Sequence, residues 1–205
     1  MTETAATEQT DPREAASDAQ TDGTTAGGAP VRKSTWTPTQ NLARILWMFF
    51  GPLLWSLLPF ARPTLLRAFG ATVGKGCRFG PAVQVAIPWN LDIGDRVSVR
   101  SHAILYALGP VKIGSRSTLD HKAHLCAGTH DASDPGFPLV RSPITVGSDC
   151  LLGVDSFVAP GVTVGDGATL LPRASAHRDV PPGATVRGNP ARVVEGAGAV
   201  DGVPA

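Results

Sequence analysis

The sequence predicts a mainly β protein: a parallel β-helix of about five triangular coils, preceded by a short apolar helical segment and a disordered N-terminal tail. Three observations carry this reading. Apolar residues recur every six positions from Val73 onward, small residues dominate four positions after them, and every departure from the period falls at the same point of the cycle. A period of six, grouped in threes, places one short strand on each face of a three-sided prism. Successive coils then stack at about 4.8 Å.

Bulk properties are compatible with this. A chain of 205 residues can bury one good core, and its Gly and Pro together make up a fifth of it, as many tight turns require. The formal net charge of +1 gives no electrostatic case for nucleic acid as a partner. Cys77, Cys126 and Cys150 are odd in number, widely spaced and without a CxxC pair. They form neither a disulfide framework nor a metal knuckle, which fits a reducing compartment. The polar N-terminus has no basic stretch leading into an apolar one, so it does not resemble a signal peptide, and a cytoplasmic location is expected.

Residues 1–36 carry six acids (Glu3, Glu8, Asp11, Glu14, Asp18, Asp22) against Arg13 alone before Arg32 and Lys33. With no apolar periodicity to offset the entropy of ordering, this segment is expected to be disordered. Residues 37–71 change character. Thr37 and Pro38 suit an N-cap and first helical position, opening a helix that Gly51-Pro52 should break. The apolar run resumes from Leu53 to Leu58, and Pro63 starts a second short helix closed by Gly70. Ile45 to Ala61 is almost wholly apolar, yet slightly short for a span and interrupted by Gly51, Pro52, Ser56 and Pro59. Two roles stay open for this hairpin. It caps the first coil, or it makes peripheral contact with a membrane at the inner face of the plasma membrane, with Trp36, Trp47 and Trp55 at the lipid interface.

The prism occupies residues 72–194, followed by a flexible tail over 195–205. Its triplets are Val73, Phe79, Val85; Ile93, Val99, Leu105; Ile113, Leu119, Leu125; Val146, Leu152, Val158; and Val164, Leu170, Ala176. The small slot holds Cys77, Val83, Ala103, Ser117, Ala123, Cys150, Ser156, Ala168 and Ala174, with Trp89 and Thr129 as exceptions. Gly74, Gly94, Gly114, Gly147 and Gly165 each follow the first member of a triplet. The steps Val85 to Ile93, Leu105 to Ile113 and Leu125 to Val146 exceed six, and all lie between a third face and the next first face. One edge of the prism is therefore decorated, as the binding side of a repeat fold usually is.

His130 lies on that edge, five residues after Leu125, where the longest insertion (131–143) begins. Imidazole, with a reference pKa of ~6.5, accepts a proton at neutral pH. On position alone, an ordinary surface histidine is the competing reading.

The blocks LCAGTHD (125–131), PITVGSDCLLG (143–153), PGVTVGDGA (160–168) and GNPAR (188–192) resemble those of the hexapeptide-repeat acetyltransferases, which include galactoside and maltose acetyltransferases. LLRAFGATVGKG (65–76) and PWNLDIGD (88–95) are similar to the colanic acid biosynthesis acetyltransferase group. The resemblance covers about 41–194. It implies a left-handed β-helix, against the usual right-handed crossover, and a homotrimer with sites between adjacent prisms. It also implies that acetyl-CoA is the co-substrate, that a sugar or glycan hydroxyl is the acceptor, and that no metal is needed. The catalytic histidine of the group matches His130, as the base that deprotonates the acceptor for direct attack on the thioester. Asp131 and Arg100 are the expected acceptor-side residues, Arg100 standing where galactoside-type relatives carry an asparagine. Gly153, Val154, Pro172, His177, Arg178 and Arg192 are expected along the CoA groove, where basic side chains suit phosphates. Leu151 replaces an aromatic, and LLPRAS (170–175) replaces a run of smaller residues. Two alternatives stand beside this reading: a γ-carbonic-anhydrase-like metalloenzyme using His121, His124 and His130, and a non-catalytic β-helix scaffold.

Overall fold

The computed structural model describes residues 37–194, so the tails expected over 1–36 and 195–205 lie outside the described residues. The triplet residues pair in register across three parallel sheets. On the first face, Val73, Ile93, Ile113, Val146 and Val164 stand opposite one another from coil to coil. Phe79, Val99, Leu119, Leu152, Leu170 and Val186 do so on the second. Val85, Leu105, Leu125, Val158 and Ala176 do so on the third. All triplet members except Val85 are buried, and the small slot is buried throughout. Cys77 and Cys150 use that slot to donate their Sγ–H to Gly94 O (3.0 Å) and Gly165 O (3.1 Å) of the next coil. Burial pushes both thiols above the ordinary cysteine pKa.

The prism has a sixth, partial coil beyond the expected five. Val180 bridges to Val164, and the strand Thr185–Arg187 adds to the second face. Arg192–Val193 then folds back antiparallel on it and ends the sheet.

Two of the three edges are turned by one residue in the left-handed region per coil. Gly76, Arg96, Arg116, Asp149, Gly167 and Gly183 turn the first edge, between first and second faces. Ala82, His102, Lys122, Asp155 and Arg173 turn the second. The glycines after each first-face strand have a different cause. A Cβ on Gly94 would stand 2.7 Å from Ser115 Oγ and 2.8 Å from its backbone nitrogen. Gly74, Gly114, Gly147 and Gly165 meet the next coil in the same way.

Hydrogen bonds between coils alternate in direction, as parallel ladders do, and the N–H groups of Arg96 and His102 donate back to Lys75 O and Pro81 O. The N–H of Gly74, Gly80, Gln84 and Ala86 donates to the carbonyl of Ile93, Val99, Ala103 and Leu105 in the following coil. Alternate carbonyls of the first coil therefore point away from the second coil, where no coil precedes them. The hairpin supplies their donors. Helix α1 (Pro38–Leu57) lays the Trp47 indole N–H on Val85 O (2.7 Å) and that of Trp55 on Gly80 O (3.1 Å). From α2 (Arg62–Ala68), Arg62 donates to Phe79 O (2.8 Å) and to Trp55 O (3.1 Å), and Arg67 donates to Val73 O (2.9 Å) and Gly74 O (2.8 Å).

Two expectations are corrected here. Gly51-Pro52 does not break α1, which runs through it. The Trp47 ring lies on Gly51 within the helix, where a Cβ would come within 2.9 Å of it, and the bonds of Trp47 and Trp55 to the prism hold the helix on both sides of the turn that Pro52 weakens. Trp47 and Trp55 are buried and bonded to the prism, so they are not available to a lipid interface. Trp36 lies outside the described residues.

Arg62→Leu is expected to lower the unfolding free energy by about 2–4 kcal/mol, because two buried carbonyls lose a charged donor. Arg173→Leu, which removes an exposed pair with Asp155 at 3.6 Å, should cost less than about 1 kcal/mol. Denaturant titration of both variants checks the contrast.

Candidate active site

The third edge, between third and first faces, is assembled from three insertions that hold one another. Asn90, after the short 3₁₀ turn Pro88–Asn90, donates its amide to Ala107 O (2.9 Å) and Leu108 O (3.1 Å) in the next coil. Leu108 in turn packs against Gly128, where a Cβ would stand 2.8 Å from the leucine Cβ. Gly128 is buried two residues before His130. Asn90 thus holds the corner whose Leu108 packs against Gly128. The sequence contains the signal, since Asn90 sits in the PWNLDIGD block, but spacing alone assigned it no role.

His130 ends the strand Thr129–His130, which pairs antiparallel with Leu139–Val140, with His130 opposite Leu139. The insertion is therefore a hairpin with its own hydrogen bonds rather than a loose loop. Its turn is set by carboxylates. Asp131 Oδ1 accepts from the Ser133 N–H (2.8 Å) and hydroxyl (2.6 Å), and Asp134 Oδ1 accepts from the Gly136 N–H (2.7 Å). The Ser133 hydrogen bonds hold the Asp131 carboxyl below its ordinary pKa. Phe137, at φ 47°, brings its ring over the imidazole, with centroids 4.6 Å apart and planes within 2°.

The same residue fixes the imidazole tautomer. His130 Nδ1 lies 2.9 Å from Phe137 O. A carbonyl only accepts, so the neutral ring carries its hydrogen on Nδ1 and its lone pair on Nε2. Nε2 of an exposed, oriented imidazole is a proton acceptor. Phe137 gave no signal in the sequence, because nothing in the insertion's composition marks which of its residues folds back.

The other expected residues divide between two edges. Asp131, His177 and Arg178 share the third edge with His130. Arg100, Gly153, Val154 and Pro172 lie on the second edge, and Arg192 is in the closing antiparallel strand. Arg100 Nε stands 3.7 Å from Asp120 Oδ1, one coil on. Gly153 is needed by the coil below, since a Cβ there would meet Leu170 O at 2.7 Å. His177 Nε2 is 2.9 Å from Ser175 Oγ. His124 is on the third face, edge-on to Phe157 at 5.3 Å, and burial holds it below the usual histidine pKa. Among the described residues, no three His, Cys, Asp or Glu side chains are grouped to hold a metal.

Two hollows among the described residues are lined by other side chains than His130. One of about 950 Å³ separates α1 from the third face, near Trp47, Val85 and Leu108. The other, about 350 Å³, lies on the third face around His102, Lys122, His124 and Phe157. His130 itself is exposed on the third edge.

A family model described as the hexapeptide repeat of succinyl-transferase matches residues 143–170. The chain is 42% identical over 133 residues to an Escherichia coli (strain K12) protein named "Putative colanic acid biosynthesis acetyltransferase WcaF", covering 65% of this chain and 73% of the relative. Among solved structures, it superposes on a hexapeptide-repeat acetyltransferase of Vibrio cholerae O1 biovar eltor complexed with acetyl-CoA. The TM-score is 0.71 at 20% identity, covering 77% of this chain and 88% of that one. A galactoside acetyltransferase in complex with coenzyme A gives a TM-score of 0.70 at 20% identity, with 78% and 84% covered.

Long-range ¹H–¹⁵N correlation on histidine-labelled protein is expected to show neutral His130 as the Nδ1–H tautomer. An Nε2–H tautomer would mean that the Phe137 contact is not a hydrogen bond.

Proposed function

The chain belongs to the hexapeptide-repeat acetyltransferases, and from that premise we propose that it moves the acetyl group of acetyl-CoA to a hydroxyl of a sugar or polysaccharide precursor, with His130 as general base. The observation that carries the residue assignment is the 2.9 Å approach of His130 Nδ1 to Phe137 O, which leaves Nε2 as the acceptor. Relatives named for galactoside O-acetylation and colanic acid biosynthesis support a glycan acceptor, and solved neighbours holding acetyl-CoA or CoA support the donor.

The chemistry closes without an acyl-enzyme. Nε2 takes the hydroxyl proton as the acceptor oxygen attacks the thioester carbonyl carbon, giving a tetrahedral oxyanion. The oxyanion collapses, the C–S bond breaks, and the imidazolium returns the proton to the departing thiolate. Phe137 O stabilises the cationic ring between these two transfers, since it accepts from Nδ1–H throughout. Asp131 shapes the turn that brings Phe137 back over the ring.

We further propose a homotrimer whose sites lie between prisms. His130 and Asp131 lie on one edge, whereas Arg100, Gly153, Val154 and Pro172 lie on another, and the imidazole stays exposed beside the Phe137 ring. Edges that diverge in one prism meet only when adjacent prisms are set edge against edge, and closed cyclic symmetry then repeats the junction. His130 of one subunit would work with Arg100 on the acceptor side of the next, and with Gly153, Val154, Pro172, His177, Arg178 and Arg192 along the CoA groove.

His130→Ala is expected to lower kcat about 10²–10⁴-fold with CoA binding largely kept. Near-wild-type turnover would remove His130 from the mechanism.

Mixing inactive His130→Ala with impaired Arg100→Ala subunits tests the shared site separately. Random mixed trimers should regain roughly a quarter of the sites, because one junction in four pairs intact His130 with intact Arg100. No recovery would place both residues in one subunit's site.

A further inference from the structure

Helix α1 is apolar nearly all round, but the prism covers only one stripe of it. Trp47, Gly51 and Trp55, at successive i, i+4 positions, are buried. Leu42, Ile45, Leu46, Met48, Phe49, Phe50, Leu53 and Leu57 are exposed, Phe49 at 68%. At the bend that follows, where α1 meets Pro59–Ala68 at 118°, Phe60 is 99% exposed. A helix of this composition is buried by something, and an apolar patch of this extent marks an interaction site.

Two features select the occupant. The exposed apolar residues spread over most of the helix circumference rather than forming a second stripe. A protein partner packs ridges into grooves along one side of a helix, whereas fluid acyl chains surround whatever is immersed in them. Charge points the same way. From Gly23 to Leu91 the sequence has seven bases (Arg32, Lys33, Arg44, Arg62, Arg67, Lys75, Arg78) and no acid. Arg62 and Arg67 are bonded to the prism, and the remaining bases, with no acid among them, are attracted to an anionic surface. Among the described residues no single helix is long and apolar enough to cross a membrane, so the geometry is that of a segment lying in the interface.

We propose that the outward surface of α1 and the apex at Phe60 dock peripherally on an anionic lipid bilayer. Resting on the acetyl-CoA reading above, the leaflet is the cytoplasmic one, where that donor is available, and the docked enzyme meets acceptors held at the membrane. The aromatic anchors are Phe49 and Phe60, since Trp47 and Trp55 are committed to the prism.

The test is co-sedimentation of the full chain with vesicles of phosphatidylcholine alone and of phosphatidylcholine with phosphatidylglycerol. The bound fraction is expected to rise at least tenfold on the anionic vesicles and to fall at least tenfold in a Phe49→Asp/Phe60→Asp variant. Both positions are exposed, so the variant should keep its circular dichroism, its oligomeric mass and its turnover on a soluble acceptor. Protein left in the supernatant with both vesicle types overturns the proposal, as does equal binding to both. A variant with changed oligomeric mass would identify the face as a contact between copies and would also overturn it. Vesicle binding is read without catalysis, so loss of the acetyltransferase reading and loss of this one are separable.

Discussion

The open strand edge of the first coil is the constraint on which the rest of the molecule depends. Each interior coil exchanges N–H and C=O bonds with the coils on both sides of it, so stacking satisfies it, whereas alternate carbonyls of the first coil are left without a donor from any coil. Buried carbonyls without donors cost about 1–3 kcal/mol each, and an open strand edge invites pairing with other chains. Residues 38–68 answer both difficulties with side chains. Two indoles and two guanidiniums reach five carbonyls distributed over all three faces. Arginine and tryptophan suit the task because they donate without accepting, and because their apolar bodies fill the space beside the strands. At the other end, Arg192–Val193 closes the second face by reversing direction.

The same ladder decides where chemistry can reside. The first and second edges are turned tightly, with one left-handed residue per coil, and an inserted residue there would throw the next strand out of register. The third edge tolerates additions because its corners are held by other means. Asn90 bonds the corner below it, and Leu108 supports Gly128. The 131–143 insertion brings its own antiparallel pairing, so its backbone groups do not depend on neighbouring coils. A rigid stack thereby carries a histidine whose orientation is set by a local hairpin.

Much of the stack was legible in the sequence, because a six-residue period fixes inward positions and strand register together. The sixth coil escaped the period. Ala176 to Val180 is a step of four, and Pro181-Pro182 stands where the earlier coils have glycine. The glycine ladder was visible, but its cause, contact with the coil below, requires knowing which backbone lies there. His130 was legible because an insertion and a motif coincide on it. Its partner was not, since the 130–137 contact depends on how a loop without apolar pattern folds back. Arg62 and Arg67 were hidden for a related reason: their targets are carbonyls, which have no sequence signature. The helix break expected at Gly51-Pro52 failed because local propensity is a weak prior against a ring packed on the same turn.

Capping also explains why α1 can serve a second purpose. Stability is supplied by the stripe Trp47, Gly51, Trp55 and by the arginines of α2, all facing the prism. Phe49, Phe50, Leu53, Leu57 and Phe60 are exposed, and their exposure carries a solubility cost with no return among the described residues. A cap required only for stability would present polar residues outward, as the terminal repeats of solenoids do. The outward face does the opposite. It adds apolar bulk where the prism gains nothing, within a stretch of sequence from which every acid is absent. Two independent surfaces on one helix, one polar-donating and committed to the prism, the other apolar and unused by it, are what a cap shared with a second environment requires.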